Sequence, residues 1–205
     1  MKLKIHMLWA VLSCATASAL TQEYYNDGAA VCSDGITYHV KLNPITMHLN
    51  NKANSLIYGT WIFLNGTKIE SDEDKDYLNT DIEFDENSFK EALKKTFTKA
   101  EFDKLYAVDG IKFTIYCVID NDLEIRELAF NMSIYEAPIF LQIPPAKYAL
   151  LEKNIKKYVK IEANEYAKKF KYMHATKFVD FSKIQIDYDS ETPGLYTKPA
   201  SQKGP

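Results

Sequence analysis

Residues 111–134, IKFTIYCVIDNDLEIRELAFNMSI, contain two segments of alternating apolar and polar residues joined by the polar triplet Asp120-Asn121-Asp122. Such alternation is typical of β-strands with one buried face, and the triplet is typical of a turn. The stretch therefore predicts a long central hairpin. The first strand would bury one face, formed by Ile111, Phe113, Ile115, Cys117 and Ile119.

The alternation changes phase in the second strand of this hairpin. Leu123 and Ile125 hold one phase, and the opposite phase is held by Leu128, Phe130, Met132 and Ile134. One extra residue must be absorbed between the two phases, as it is in a β-bulge. We therefore predict a bulge near Arg126-Glu127.

Helical patterns lie on both sides of the hairpin. Residues 87–106 carry apolar residues at helical spacing, and Thr98-Lys99-Ala100-Glu101 is a capping box that would restart the helix. After the hairpin, Pro144-Pro145 opens a second helix whose inward residues would be Tyr148, Leu151, Ile155, Tyr158 and Val159. Its outer face carries Lys147, Lys153, Lys156, Lys157 and Lys160, interleaved with Glu152. The pattern favours a solvated face over a site for an acidic partner.

The region before the first helix is mostly β in pattern. Residues 36–42 and 46–49 alternate, residues 56–64 are apolar on both faces and predict a buried strand, and Asn65-Gly66 predicts a tight hairpin turn into a return strand over residues 67–69. Near the other end of the chain, residues 177–181 predict a closing strand. The whole pattern predicts an α+β fold, with an antiparallel sheet around the long hairpin, two flanking helical segments and a preceding N-terminal β-hairpin region.

The domain organisation follows from these patterns. Residues 1–19 read as a signal peptide, because Lys2 and Lys4 precede the apolar run 7–12 and Ala17-Ser18-Ala19 supplies small residues for cleavage. Residues 20–187 would form a single α+β domain, with 20–85 mostly β and 86–187 helix, hairpin, helix and strand. Residues 188–205 would be a flexible tail. We expect export to the periplasm or the extracellular space; the alternative is a lipoprotein anchored through Cys14.

Composition excludes some classes of function. Arg126 is the only arginine, so the guanidinium fork that reads guanine edges and phosphates is almost absent and nucleic-acid binding is not expected. No segment after the signal approaches the roughly 18 apolar residues of a membrane-spanning helix. Cys32 and Cys117 permit one disulfide in an oxidising compartment, although the pattern favours a buried free thiol at Cys117.

No catalytic, cofactor-binding or metal-binding residues emerge from the sequence. Asp72, Asp74, Asp76 and Glu83 imitate the spacing of a calcium loop, but Tyr77 replaces the turn glycine and no helix precedes the loop, so a solvated acidic loop is favoured over a calcium site. The cluster of Asp120, Asp122 and Glu124 is explained by turn chemistry. His39, His48 and His174 lack ligand spacing. Sequons begin at Asn65 and Asn131, and chance matches are favoured over glycosylation.

The second half of the chain resembles a known family. The segments concerned are Val118-Ile119-Asp120-Asn121-Asp122-Leu123-Glu124-Ile125, Leu151-Glu152-Lys153-Asn154-Ile155-Lys156-Lys157-Tyr158-Val159 and Phe178-Val179-Asp180-Phe181. Their order within residues 89–181 is similar to the C-terminal domain of TonB-type energy transducers, and to exported Bacteroidetes proteins of about 200 residues with a domain of unknown function. The chain departs from the transducers in lacking a retained membrane helix and a proline-rich spanning segment, so the resemblance implies neither energy transduction nor particular functional residues.

Two functions of different classes are compatible with these observations. The favoured one is a non-catalytic envelope protein that binds a protein or a glycan, for example by pairing a sheet edge with a partner strand, a mode that needs no catalytic side chains. The alternative is a hydrolase, although the sequence contains no Gly-x-Ser-x-Gly elbow, His-Glu-x-x-His helix or phosphate-binding glycine loop.

Overall fold

A seven-stranded antiparallel sheet forms the centre of the fold. The computed structural model describes residues 24–33, 35–71 and 74–189, without the side chains of Ala30 and Cys32. In spatial order the strands are β1 (Ala30–Ser33), β2 (Ile36–Leu42), β3 (Thr46–Asn51), β7 (Ile125–Ser133), β6 (Phe113–Asp120), β9 (Phe170–Val179) and β4 (Ile62–Phe63). A second, two-stranded sheet pairs β5 (Ile82–Phe84) with β8 (Ile161–Ala163).

Four α-helices accompany the sheet in the described part of the chain: α1 (Lys75–Asn79), α2 (Glu86–Thr96), α3 (Lys99–Tyr106) and α4 (Pro145–Tyr158). Short 3₁₀ turns lie at Pro138–Gln142, Glu165–Lys169 and Phe181–Lys183. The capping box predicted at Thr98 is present, because the Thr98 hydroxyl accepts from the Glu101 N–H and Glu101 accepts from the Thr98 N–H. Together, these helices and the antiparallel sheet confirm the predicted α+β class with a sheet around the long hairpin.

The central hairpin and its bulge are as predicted. Val118 pairs with Glu127 and Ile119 pairs with Ile125, so Arg126 is the extra residue that the bulge absorbs. Phe113, Ile115, Cys117 and Ile119 are buried on one face of β6, whereas Ile111 precedes the strand and is exposed. The prediction for Ile111 was wrong because β6 begins only at Phe113, two residues after Ile111.

The helices cover one face of the large sheet. The ring of Phe113 lies at the centre of this layer, 5.7 Å from Phe130, 5.5 Å from Phe140 and 5.6 Å from Phe181 between ring centroids. Tyr148 of α4 stacks nearly parallel to Phe113. We call the opposite side of the sheet the outer face. On it, a separate small cluster joins Ile57 to Val118 and Ala129.

The prediction of a strand over residues 56–64 was wrong. Only Ile62 and Phe63 are extended, and residues 55–60, which we call the strap, form a bent loop across the outer face. Ile57 is apolar because it packs on the sheet, as a strand residue would. Its backbone N–H, however, donates to the Glu127 carboxylate and not to a neighbouring strand. The Asn65-Gly66 turn is present, with Gly66 at φ 87°. The expected return strand over 67–69 is reduced to one bridge between Ile62 and Lys68.

The acidic segment is also different from the prediction. Asp74 caps α1, accepting from the Asp76 and Tyr77 N–H groups, so the segment contains a helix where an open loop was expected. Glu83 lies in β5 and pairs with Glu162 of β8. Asp72 lies outside the described residues. Asp74 therefore caps the first turn of α1.

Both ends of the described chain pack more than the sequence indicates. The closing strand β9 begins at Phe170, seven residues before the predicted start at residue 177, and ends at Val179. Phe181, which was predicted to end the strand, begins a 3₁₀ turn. Tyr25, which precedes the first predicted strand, is buried and its hydroxyl donates to the Ile143 carbonyl at 2.7 Å. Tyr188, placed in the tail, packs against Phe102 at 6.1 Å between ring centroids. The predicted tail from residue 190 onward and the predicted signal peptide lie outside the described residues.

Candidate functional site

The polar clusters that the sequence singled out have structural roles. Asp120 Oδ1 accepts from the Asp122 and Glu124 N–H groups at 3.0 Å each, and Arg126 pairs with both Asp120 and Glu124. These contacts close the hairpin turn, as predicted. Among the described residues no three His, Cys, Asp or Glu side chains are arranged to hold a metal ion. Cys117 is a buried free thiol, and burial raises its pKa well above the ordinary value.

Glu152 is the largest departure from the predicted lysine face. Only 1% of its surface is exposed, and its carboxylate accepts from the Tyr38 hydroxyl (2.7 Å), Asn51 Nδ2 (2.9 Å) and Lys156 Nζ (2.7 Å). Burial raises the Tyr38 pKa, and the neighbouring Glu152 charge raises it further. This network connects β2 and β3 to α4 on the face of the sheet that the helices cover, so its role is structural.

Glu127 holds the strap in place on the outer face. Its Oε1 accepts from the Ser55 N–H at 2.7 Å and the Ser55 hydroxyl at 3.1 Å. Its Oε2 accepts from the Leu56 and Ile57 N–H groups, each at 2.8 Å. Since four donors converge on one carboxylate, the strap is fixed to β7 by charge-assisted hydrogen bonds.

His174 of β9 holds the far end of the strap. The ring forms a hydrogen bond with the Thr60 backbone, and its Nε2 lies near Gly59, 4.0 Å from where a Cβ atom on that glycine would be. Burial lowers the His174 pKa, although the Thr60 bond and the Glu127 charge oppose that shift. Glu127 and His174 therefore fix both ends of the strap, and Tyr58 lies between them with 78% of its surface exposed.

The strap forms one wall of a cavity on the outer face. The cavity has a volume of about 280 Å³ and is lined by His48, Leu49, Ile57, Tyr58, Tyr116, Ala129 and Phe130. Its lining contains no Asp, Glu, Lys or Arg side chain. Burial and the nearby Lys41 charge lower the His48 pKa, so its imidazole is neutral at pH 7. The cavity therefore offers apolar and neutral polar groups to a ligand.

The strand register places a band of uncharged side chains around this cavity. One row across five strands consists of His39, Asn50, Ala129, Tyr116 and Thr176. The next row consists of Lys41, His48, Asn131, Thr114 and Phe178. Directly paired residues point to the same side of a sheet. These ten positions therefore form one surface, and Lys41 is the single Asp, Glu, Lys or Arg residue among them.

Other cavities in the described part of the chain have charged walls. A cavity of about 170 Å³ between α3 and α4 contains Glu101, Lys104 and Lys147. Lys147 Nζ already donates to Glu101 Oε2 at 2.7 Å and to the Thr96 carbonyl at 3.1 Å. A cavity of about 240 Å³ beside β9 contains Lys177, which pairs with Glu86. Lys147 and Lys177 are occupied by the protein's own acceptors, so the outer-face cavity is the better candidate site.

The comparisons with known proteins bear on the fold. No protein-family model and no curated protein matches the chain. Among solved structures, a similar fold exists. It is that of a DUF5043 family protein from Bacteroides uniformis ATCC 8492, with a TM-score of 0.58 and 20% sequence identity over 78% of this chain and 95% of that chain. This likeness to a domain of unknown function concerns the fold alone.

Sequence reasoning missed the residues that build this site. Tyr58 was placed inside a strand, and Glu127 was noted as part of a bulge. A usable signal was the bulge itself, because bulges redirect side chains and are frequent next to functional sites. A second signal was the concentration of Tyr, His, Asn and Thr at the non-core positions of β2, β3, β6 and β7. Hydrophobic periodicity alone predicts only that such positions face solvent.

Proposed function

We propose that the protein is an exported, non-catalytic envelope protein that binds a protein or glycan ligand in the outer-face cavity. One observation carries this proposal: an uncharged cavity of about 280 Å³ lies between a fixed strap and the sheet, beside the exposed Tyr58. Concave, largely apolar sites with a few polar groups are the usual ligand sites of proteins. Exposed tyrosines contribute a large amphipathic contact area to binding surfaces.

Export is part of the same proposal. It is supported by the charged start, the short apolar run and the Ala17-Ser18-Ala19 sequence, all outside the described residues. Cleavage after Ala19 would give a periplasmic or secreted protein, whereas lipidation of Cys14 would anchor it. In the described part of the chain, no helix has the length and apolar character needed to cross a membrane.

The relation to TonB-type C-terminal domains also belongs to this proposal. It is supported by the order of α2 and α3, the β6–β7 hairpin, α4 and then β9. Edge pairing with a partner strand is the other binding mode that the sequence suggested. The edge strands β1 and β4 are four and two residues long, which limits the backbone they offer to a partner. We therefore place the ligand on the outer face.

The experiment that tests the proposed function uses the purified chain on a biosensor surface. Oligosaccharides and peptides would be passed over the wild type and over Tyr116→Ala, whose side chain lines the cavity. We expect binding of at least one class, weakened at least tenfold by the substitution. Binding that is unaffected by Tyr116→Ala would contradict a ligand site on the outer face.

The hydrolase alternative is tested in the same samples. Mass spectrometry after prolonged incubation would detect cleavage of any bound oligosaccharide or peptide. We expect the ligand to be recovered intact. Turnover that is lost when the cavity residue His48 is changed to Ala would establish an enzyme and contradict the non-catalytic proposal.

A further inference from the structure

We propose that the ligand of the outer-face cavity is a neutral sugar residue of a glycan, with Tyr58 and Tyr116 contacting its ring and the adjacent rows of the sheet contacting its hydroxyl groups. The inference rests on the proposed function, because it names the ligand class of the same site. Three properties of the surface lead to it: its charge, its hydrogen-bonding groups and the geometry of its aromatic side chains.

The charge of the surface selects a neutral ligand. Charged residues make up 26% of the chain, so about two or three would be expected among the ten positions of the two rows. Lys41 is the single Asp, Glu, Lys or Arg there, and it lies at the end of its row, on β2. An anionic ligand would require Arg or Lys at the cavity and a cation would require carboxylates. The cavity lining contains neither.

The hydrogen-bonding groups of the surface match hydroxyl groups. Tyr116, Thr114, Asn131 and the neutral His48 each provide a donor and an acceptor. Sugar hydroxyls are likewise both donors and acceptors, so each can form two bonds with such a surface. Asn131 Oδ1 is buried and accepts no hydrogen bond from the described residues.

The aromatic side chains suit a ring with an apolar face. Tyr58 is 78% exposed and Tyr116 is 36% exposed, and both line the cavity together with Ile57 and Ala129. A pyranose ring presents C–H groups on one face and hydroxyls around its edge, so its face packs on an aromatic ring while its edge remains hydrogen-bonded. The volume lies near the lower end of ligand cavities, which corresponds to one ring with the rest of the glycan along the sheet.

The position of the cavity disfavours an extended peptide. Apart from the strap, its walls come from β3, β7 and β6, which are interior strands with a paired neighbour on each side. Their backbone donors and acceptors are used within the sheet, so a peptide at this site cannot add a strand. On the sheet side of the cavity, recognition therefore depends on side chains, which include the hydroxyl, amide and imidazole groups already described.

A glycan array tests the inference directly. The fluorescently labelled full chain would be applied to printed neutral oligosaccharides, acidic oligosaccharides and neutral peptides, and calorimetry would give Kd for the best binder. We expect binding to neutral oligosaccharides. Tyr58→Ala should weaken it at least tenfold, and Tyr58→Phe, which keeps the ring, should change it by less than about threefold.

Tyr135→Ala is the matched control, because Tyr135 is 77% exposed, like Tyr58, but does not line the cavity. It should leave Kd unchanged, and thermal unfolding would verify that every variant is folded. Three outcomes would overturn the inference: no neutral oligosaccharide binds, acidic ones bind in preference, or Tyr58→Ala behaves like Tyr135→Ala. If only a peptide binds, and Tyr116→Ala weakens it, the sugar inference fails while the proposed function stands. If Tyr116→Ala weakens no ligand, both fail.

Discussion

At the scale of single residues, Glu152 shows how a charged side chain is accommodated in the core. It lies on α4 between inward-facing residues, and its two oxygens receive hydrogen bonds from β2, β3 and the next turn of its own helix. A buried carboxylate is tolerated only when such donors compensate for its lost hydration. The donors are distant in sequence, with Tyr38 and Asn51 each more than 100 residues away.

Replacing Glu152 with Ala should be strongly destabilising. The change leaves the Tyr38 hydroxyl and the Asn51 amide without this acceptor, at about 1–3 kcal/mol for each buried donor that finds no other partner. Urea unfolding of wild type and variant measures the difference. Lys156→Ala, which removes the half-exposed donor, should cost less than Glu152→Ala. A Glu152→Ala protein as stable as wild type would show that the network contributes nothing.

Ile115→Ala tests the core face of the hairpin. Ile115 is 1% exposed and pairs with Phe130 across β7, so truncation removes buried area and leaves a void, at about 2–5 kcal/mol. The matched surface change is Lys157→Ala on α4, which should stay within about 0.5 kcal/mol. Denaturant titrations of the two variants beside the parent measure both values. Equal stabilities would contradict the assignment of this face.

His174 predicts a pH dependence of stability. Burial holds its folded pKa below the unfolded value near 6.5, so the unfolded chain binds more protons as the pH falls through that value. The unfolding free energy should therefore decrease as pH falls from 7 to 5. In His174→Gln the decrease should be smaller, with His48 supplying the remainder. Unfolding curves at several pH values measure the effect, and a rise in stability over this range would contradict it.

At the scale of elements, the bulge in β7 connects the hairpin to the strap. The bulge shifts the phase of β7, so Leu128 and Phe130 face the helices while Glu127 and Ala129 face outward. Without the shift, one phase of the strand would turn its apolar residues to solvent. The outward Glu127 then meets the N–H groups of residues 55–57. The same bulge therefore supports both the core and the outer-face cavity.

Glu127→Ala should release the strap while leaving the sheet intact. Bonds to a charged acceptor contribute about 1.5–3 kcal/mol each, and their effects are not additive, so we expect a loss of at least about 2 kcal/mol. Native-state hydrogen exchange should become faster at the Leu56 and Ile57 amides. Thr98→Ala, which removes the α3 cap at a cost of about 1 kcal/mol, is the control and should leave these amides protected. Unchanged exchange in Glu127→Ala would show that the strap is held by other contacts.

At the scale of the whole molecule, the two faces of the sheet have different roles. The helices and their aromatic residues cover one face and supply the main core, whereas the strap covers only part of the other. Antiparallel sheets often keep one face in contact with water. In this protein the part of that face around the cavity carries Tyr58 and Tyr116, and its ten row positions include Lys41 as their single Asp, Glu, Lys or Arg, which sets it apart from a merely solvated surface.

Export of the whole chain is tested by expression in a Gram-negative host. We expect a protein whose first residue is Leu20 in the periplasmic or culture fraction, because Ala17-Ser18-Ala19 supplies the cleavage site. Mass spectrometry of the purified protein identifies the N-terminus. An acylated Cys14 at the N-terminus would establish the lipoprotein alternative, and an uncleaved chain in the cytoplasm would contradict export.

The sequence by itself determined the elements that rest on local chemistry. Alternation placed β6 and β7, the phase change located the bulge at Arg126, and the Thr98 capping box separated α2 from α3. These features depend on residues a few positions apart, so periodicity and capping rules can recognise them. The α+β class followed from their order.

Only the tertiary structure decided where the strap lies, how Glu152 is buried and which surface is a candidate site. Each depends on partners far apart in the chain: the strap on Glu127, about 70 residues away, and Glu152 on Tyr38, 114 residues away. Local patterns contain no information about such pairs, so residues 56–64 resembled a buried strand and Glu152 resembled a surface residue. The outer face arises in the same way, because strand register alone brings His48, Tyr116 and Ala129 together beneath Tyr58.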